Sequence, residues 1–256
     1  MRKPTAAHPT RRPRAPSQPP KGPARFTDAV GRTSANLLYQ DLHEAIVTMR
    51  LRPGDPISES RVAAEHGVSR TPVREAILRL AKEKLVEIVP KSGTFVGRIP
   101  ISSLVEAIVA RRALEVLNTK RAVELATPNR VTEFRAMLDR QRQIAAGGDL
   151  ERFHRADEDF HASIAEAAGY PGIWDLIQQI KLQVDRYRQL TLPLEGRMDL
   201  IVAEHGDIVD AMESGDPDAA GQAMETHLDK LQLDIQVFQE MWPDYFIHDR
   251  DIEKQI

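Results

Sequence analysis

Val68-Ser69-Arg70-Thr71-Pro72-Val73-Arg74-Glu75-Ala76-Ile77 joins a tight turn to a short helix, and its reading decides the fold of the N-terminal part of the chain. Thr71 can cap that helix with its side-chain oxygen, and Pro72 then stands at the first helical position, where its missing N–H is no loss. Val73, Ala76, Ile77 and Leu80 fall on one side at helical spacing, with Arg74 on the flank of that stripe and Glu75 and Lys82 opposite it. Ser69, Arg70, Thr71 and Arg74 therefore gather at the free end of an anchored helix, an arrangement suited to reading DNA.

Working outward, Ser58 to His66 predicts a second short amphipathic helix ahead of Gly67, and an earlier helix runs from about Asn36 to Arg50. After Leu80, the run Leu85-Val86-Glu87-Ile88-Val89, the tip Pro90-Lys91-Ser92-Gly93 and the run Thr94-Phe95-Val96 predict a β-hairpin with a basic tip. Three helices and a hairpin in this order make a winged helix-turn-helix. Its recognition helix would enter the major groove, with Arg70 or Arg74 reaching guanine O6 and N7 while Ser69 and Thr71 hold phosphates. The wing tip, Lys91, Ser92 and Gly93, would lie along the backbone or the minor groove.

This segment resembles the GntR family of bacterial transcription regulators from about Leu38 to Val96. The resemblance rests on Arg52-Pro53-Gly54, Ile57 with Glu59, Val62-Ala63, the Val68 to Ile77 run, Leu85-Val86, and Gly93 with Val96. Lys84 stands where the family usually has a glycine, and Ser60 where some members carry a DNA-contacting arginine. The resemblance implies a double-stranded operator as partner and a function in transcription.

Composition sets the frame. The 256 residues suffice for two domains, and the chain has no cysteine, which excludes disulfides and thiolate metal ligands. With no run of membrane-spanning length and no signal-peptide pattern, a cytoplasmic protein without membrane partner is expected. The net charge of −3 hides an asymmetry: residues 1–34 carry eight Lys/Arg against one acid, and residues 100–256 carry seventeen against twenty-nine. The first segment, with seven prolines in its first 23 residues, reads as a disordered basic tail, either a solvated leader or an arm adding salt-sensitive DNA affinity. The expected division is this tail at 1–34, the winged helix-turn-helix at 35–99, a helical bundle at 100–240 and a C-terminal tail at 241–256.

From Ile101 onward the pattern is helical, with breaks near Pro128, Gly147-Gly148, Gly169-Tyr170-Pro171-Gly172, Pro193 and Gly215-Asp216-Pro217, predicting six helices and no strands. Placed at about 100° per residue, Asp157 and His161 fall inside the stripe of Leu150, Phe153, Phe160, Ile164 and Ala168. His205 falls among Ile201, Ile208 and Met212, and His227 beside Met224, Leu231 and Phe238. Arg112 and Glu115 sit among Leu104, Ile108 and Ala122. A buried carboxylate needs a charge partner, hydrogen bonds or a metal. An aspartate with three imidazoles and no thiolate suits a divalent ion such as Zn²⁺, Ni²⁺ or Mn²⁺; the alternative is a packed polar core.

This half resembles the FCD domain, the six- or seven-helix ligand-binding module of FadR-like GntR regulators, over about residues 103–235. The resemblance rests on Arg112 with Glu115, Asp157 with Phe160-His161, Glu204-His205, Gly215-Asp216 and His227-Leu228, while Tyr170-Pro171 departs from it. It implies a mainly α protein, a winged helix-turn-helix followed by the all-α bundle. It also implies metal ligation by Asp157, His161, His205 and His227, and an arginine, Arg112, facing the carboxylate of a small organic acid effector. Dimerisation on a palindromic operator is expected; Leu114, Leu117 and Leu125 make a second apolar face on the first bundle helix, either more core or a partner surface. The expectation is thus a metabolite-responsive regulator, read as a repressor although the sequence does not separate repression from activation. The competing readings are a metal-dependent hydrolase fused to a DNA-binding domain, and a DNA binder without effector.

Overall fold

The computed structural model describes residues 34–249, so the expectations for the leader lie outside the described residues. The chain opens with α1 (Ser34–Val47), α2 (Glu59–Glu65) and α3 (Arg70–Lys82), followed by β1 (Val86–Val89) and β2 (Gly93–Val96). Ser58 caps α2 by accepting from the Arg61 N–H at 3.3 Å, and Gly67, at φ 64°, makes the left-handed turn into α3. Helix α3 begins at Arg70, with Ser69 at the N-cap and no side-chain cap bond. Thr71 and Pro72 therefore lie inside the first turn rather than at the cap and first position. Pro72 is tolerated there because first-turn N–H groups have no helical acceptor.

β1 and β2 pair antiparallel from Val86 opposite Val96 to Val89 opposite Gly93, which leaves Lys91 and Ser92 at the tip. Leu38, Leu42 and Ile46 of α1, Val73, Ile77 and Leu80 of α3, and Leu85, Val86 and Val96 of the hairpin form one buried core. The stripe on α3 thus anchors the helix and leaves its other face in solvent.

Ile99–Pro100 (β3) leads into the bundle: α4 (Ile101–Glu124), α5 (Pro128–Gly147), α6 (Leu150–Ala167), α7 (Pro171–Ile180), α8 (Leu182–Thr191), α9 (Arg197–Glu213), α10 (Pro217–Leu233) and α11 (Ile235–Met241). α4 is central, packing against α10, α6, α8 and α7. Capping accounts for three of the boundaries: Thr127, Asp149 and Asp216 accept from the N–H groups of Arg130, Arg152 and Ala219, and Gly148 and Gly215 turn left-handed at φ 68° and 73°.

Two breaks escaped the sequence pattern, at Lys181 between α7 and α8 and at Asp234 between α10 and α11. A strand also appears where none was predicted: β4 (Phe246–Ile247) pairs parallel with β3. Phe246 is buried against the bundle core, and Asp249 accepts from the Ser102 N–H and hydroxyl at 3.3 and 2.7 Å. The aromatic tail therefore closes over the connection between the two halves. Among the described residues no helix is long and apolar enough to cross a membrane.

Candidate DNA interface and candidate metal centre

The exposed side of α3 carries Arg70, Thr71, Arg74, Glu75 and Leu78, which line a shallow depression of about 320 Å³. The Arg74 guanidinium donates to Glu59 at the start of α2 at 3.1 Å, which fixes its direction across the helix-turn-helix. Arg79, by contrast, is tied inward: it lies 3.9 Å over the Tyr39 ring and donates to Asn36. Ser69, Arg70, Thr71 and Arg74 are all exposed, as are Lys91, Ser92 and Gly93 at the wing tip, where Lys91 and Gly93 adopt positive φ of 65° and 141°. Lys84, the residue in the place of a family glycine, does adopt the left-handed conformation, at φ 59°.

The second site is built on three helices. Asp157 and His161 of α6, His205 of α9 and His227 of α10 are all buried. Ligand atoms of His161, His205 and His227 lie within 4.8 Å of one another. Asp157 stands beside them, with its oxygens 3.9 Å from His161 Nε2 and 3.8 Å from His205 Nε2. The structure thus brings together the four residues expected as metal ligands.

The Nδ1 atoms of these rings point away from the cluster toward polar groups on neighbouring helices. Gln141 of α5 donates through Nε2 to the Ala156 carbonyl at 3.0 Å, so its Oε1 faces His205 Nδ1, at 2.8 Å, and accepts from it. His227 Nδ1 donates to Glu204 at 2.7 Å, and His161 Nδ1 contacts the Glu115 carboxylate. His205 and His227 therefore carry a proton on Nδ1 and turn the Nε2 lone pair to the opposite side, where His161 also presents its Nε2. His161 Nε2, His205 Nε2 and Asp157 Oδ1 are buried acceptors with no hydrogen-bond partner among the described residues. Acceptors facing one another without a donor suit a cation, and outward Nδ1–H bonds to carboxylate or amide oxygens are the usual support of metal-binding histidines. An ion bound at ordinary metal–nitrogen lengths needs donor atoms about 3–4 Å apart, a small inward closure from the separation here.

The charges agree. Burial would raise the Glu115 carboxyl, but Arg111 and His161 overturn that and hold it down at about 2. Asp157 is likewise held well below the ordinary carboxylate range by Arg188, against its burial. Burial pushes His205 well below and His227 below the ordinary imidazole range, so both are neutral near pH 7, the form that binds metal. Phe160 stacks on His205 at 4.2 Å and Trp174 on His161 at 6.2 Å, walling the cluster with rings.

Arg112 is not brought to this cluster. Its half-exposed guanidinium donates to Asp229 of α10 at 2.7 Å, and the inward arginine of α4 is its neighbour Arg111, paired with Glu115. The arginine in contact with a candidate ligand is Arg188 of α8, on Asp157. Arg188, Thr191, Arg197, Ile201, Glu204, His227 and Leu231 line a cavity of about 10 Å³ beside the cluster, room for about one water. Sequence reasoning missed Arg188, Gln141 and the role of Glu204, although Glu204 adjoins His205. His154 belongs to a separate group with Glu158 and Asp185, and Lys181 bonds both carboxylates there at 2.6 to 2.7 Å, filling the place of a cation.

Comparison with known proteins agrees with both halves. Residues 35–96 match the model of bacterial regulatory proteins of the gntR family, and residues 106–230 match the FCD domain. A Streptomyces ambofaciens HTH-type transcriptional regulator in an unstable DNA locus is 36% identical over 219 residues, covering 86% of this chain and 92% of the relative. The chain belongs to the GntR family. Its FCD domain puts this regulator in the FadR-like group, whose members are transcriptional regulators rather than enzymes. The Escherichia coli transcriptional repressor RspR is 30% identical over 209 residues, covering 82% of this regulator and 92% of RspR. The crystal structure of a GntR regulator from Rhodococcus sp. RHA1 aligns with a TM-score of 0.64 at 25% identity, over 79% of this chain and 97% of that one. The regulator is therefore a DNA-binding transcription factor with a winged helix-turn-helix and an FCD bundle.

Proposed function

We propose that this regulator is a repressor that binds a divalent ion through Asp157, His161, His205 and His227 and releases or tightens on its operator when a small carboxylate reaches that ion. One observation supports the reading: three buried histidines converge beside Asp157, two of them held outward through Nδ1 by Gln141 and Glu204, while His161 Nε2, His205 Nε2 and Asp157 Oδ1 have no hydrogen-bond partner among the described residues. A packed polar core leaves those acceptors unexplained. Zn²⁺, Ni²⁺ and Mn²⁺ all suit the imidazole–carboxylate set. When bound, the ion supplies open coordination positions for carboxylate or hydroxyl oxygens of an organic acid. Arg188 meets the remaining negative charge from the α8 side, the part assigned to Arg112 in the sequence. The small cavity beside His227 must widen to admit such an acid, so binding and a shift of α8, α9 or α10 go together.

At the other end, Ser69, Arg70, Thr71 and Arg74 contact the major groove, and Lys91, Ser92 and Gly93 the flanking backbone, of a palindromic operator in the cytoplasm. GntR regulators typically act as dimers, and Val109 and Leu117 of α4 and Leu125 at its C-terminal cap are exposed apolar side chains available to a second copy. The test is a melting screen of small carboxylates on the full chain with added Zn²⁺ and with chelator, followed by operator affinity for each acid that stabilises. Loss of ion binding in His161→Ala is expected. Operator affinity indifferent to every stabilising acid would sink the sensing role.

A further inference from the structure

Helix α8 touches the candidate metal centre and the DNA-binding domain at once. Arg188 bonds Asp157. Two residues earlier, about 200° around the helix, Arg186 points the other way and has no exposed surface. It donates to the Gly97 carbonyl at 2.6 Å and to Gln183 at 3.0 Å, and its Nε finds no partner among the described residues. Among the described residues no carboxylate answers its charge there, and burial draws the guanidinium down to about 10, still cationic at neutral pH. One turn before it, Leu182 packs into the core of the winged helix-turn-helix.

Gly97 is the residue that leaves the wing. Its N–H donates to the Leu85 carbonyl at 2.8 Å, and a Cβ at this position would stand 2.6 Å from the Lys84 carbonyl oxygen. The peptide is therefore wedged against the start of the hairpin on one side and gripped by Arg186 on the other. An apolar side chain would fill the same space without burying a charge that has no counter-charge. What the guanidinium adds is a directed bond across the boundary between the two domains.

We infer that α8 is the lever through which the metal centre acts on the wing, with Arg186 as the positioning residue that carries the coupling. This rests on the metal-centre reading above. An ion at Asp157 Oδ1 sets a second cation beside the carboxylate that Arg188 holds through Oδ2, which loosens the Arg188 bond, and a displaced Arg188 bears on the ten-residue helix that carries it. Leu182 and Arg186 move with it, and Gly97, wedged in place, transfers the displacement to the hairpin.

Hydrogen exchange of the full chain tests this in two windows, residues 150–165 around the centre and residues 84–97 in the wing. Adding Zn²⁺ to chelated protein is expected to slow exchange in both windows, by roughly fivefold or more. In Arg186→Met the slowing remains at 150–165 and vanishes at 84–97. A metal-free arm uses chelated Arg188→Met, which is expected to alter exchange at 84–97, and to do so no longer when combined with Arg186→Met. Arg186→Lys, which keeps the charge but not the fork, serves if the methionine variant does not fold, and is expected to weaken both responses. Zn²⁺ protection at 84–97 undiminished by Arg186→Met, or Arg188→Met leaving 84–97 unchanged, overturns the lever. Zn²⁺ without effect at 150–165 overturns the metal reading instead, while the metal-free arm still decides on α8.

Discussion

Replacing His205 by phenylalanine separates a metal centre from a packed polar core, because the two assign the residue opposite energetic roles. In the ion-free protein His205 makes one buried bond, from Nδ1 to Gln141 at 2.8 Å, and leaves Nε2 buried without a partner. A net buried bond is worth about 1 kcal/mol and an orphaned buried group costs about 1–3 kcal/mol. Phenylalanine keeps the ring that stacks on Phe160, relieves the orphan at Nε2 and creates another at the Gln141 oxygen. These changes offset one another to within about 1 kcal/mol. With Zn²⁺ at a hundredfold over its dissociation constant, the wild type gains about 2.7 kcal/mol. For a chain of this size that is a rise of about 5 to 10 °C in Tm. The expected result, read by thermal unfolding in chelator and in graded Zn²⁺, Ni²⁺ and Mn²⁺, is a variant with nearly the wild-type Tm in chelator and almost no response to the ion. A wild type unmoved by all three ions would refute the reasoning, as would a variant that responds as strongly.

The other predictions concern the DNA face, the turn before the wing and pH. Arg70→Ala should cost about 1–3 kcal/mol in operator affinity and relax preference at one base pair, whereas Lys91→Ala should weaken all sequences alike and lower the salt slope by about one; competition binding at several salt concentrations distinguishes them. Lys84→Gly relieves a left-handed lysine at about 1 kcal/mol and gives up exposed contacts to Ser103 and Asp249 worth less; a higher urea midpoint is expected, and a lower one contradicts it. His205 and His227 have folded-state pKa values pushed down by burial, so the unfolded chain takes up their protons first, near pH 6.5. Stability of the chelated protein should therefore fall as pH drops from 7.5 to 5.5. The depressed Asp157 and Glu115 add a further loss only below about pH 4. Urea midpoints across this range should flatten in His205→Phe, and a flat wild-type profile would count against neutral buried imidazoles.

The DNA-reading half was legible because each of its elements carries its own punctuation. Ser58, Gly67 and Gly93 mark the turns, and the α3 stripe has one apolar side and one polar side. The same holds for α6, α9 and α10, whose inward faces are clear enough to place Asp157, His161, His205 and His227 correctly. Helix α4 is packed on most of its circumference, with Ser102, Ala107, Arg111, Glu115 and Asn118 all buried. So broad a buried face has no sharp phase: it takes in Glu115 as expected and Arg111 as well, while Arg112 lies at its edge on Asp229. The α7–α8 break at Lys181 carries neither glycine nor proline, so nothing in the local sequence announced the helix that bears Arg186 and Arg188. Strands β3 and β4 are two residues each and exist only because the tail returns to the linker.

Three buried histidines are compatible with a hydrogen-bonded core until their tautomers are fixed, and the groups that fix them are remote in sequence. Glu115 comes from α4, Gln141 from α5 and Glu204 from α9, none on the same helix as the ring it orients. Gln141 is oriented in turn by the Ala156 carbonyl, one residue before the candidate ligand Asp157. Periodicity can say that a side chain faces inward; it cannot say which nitrogen carries the proton. The step from inward-facing imidazoles to convergent lone pairs therefore belongs to tertiary structure. It makes the outer carboxylates and amide as much a part of the centre as the rings themselves, since each loses its purpose if the proton moves to Nε2.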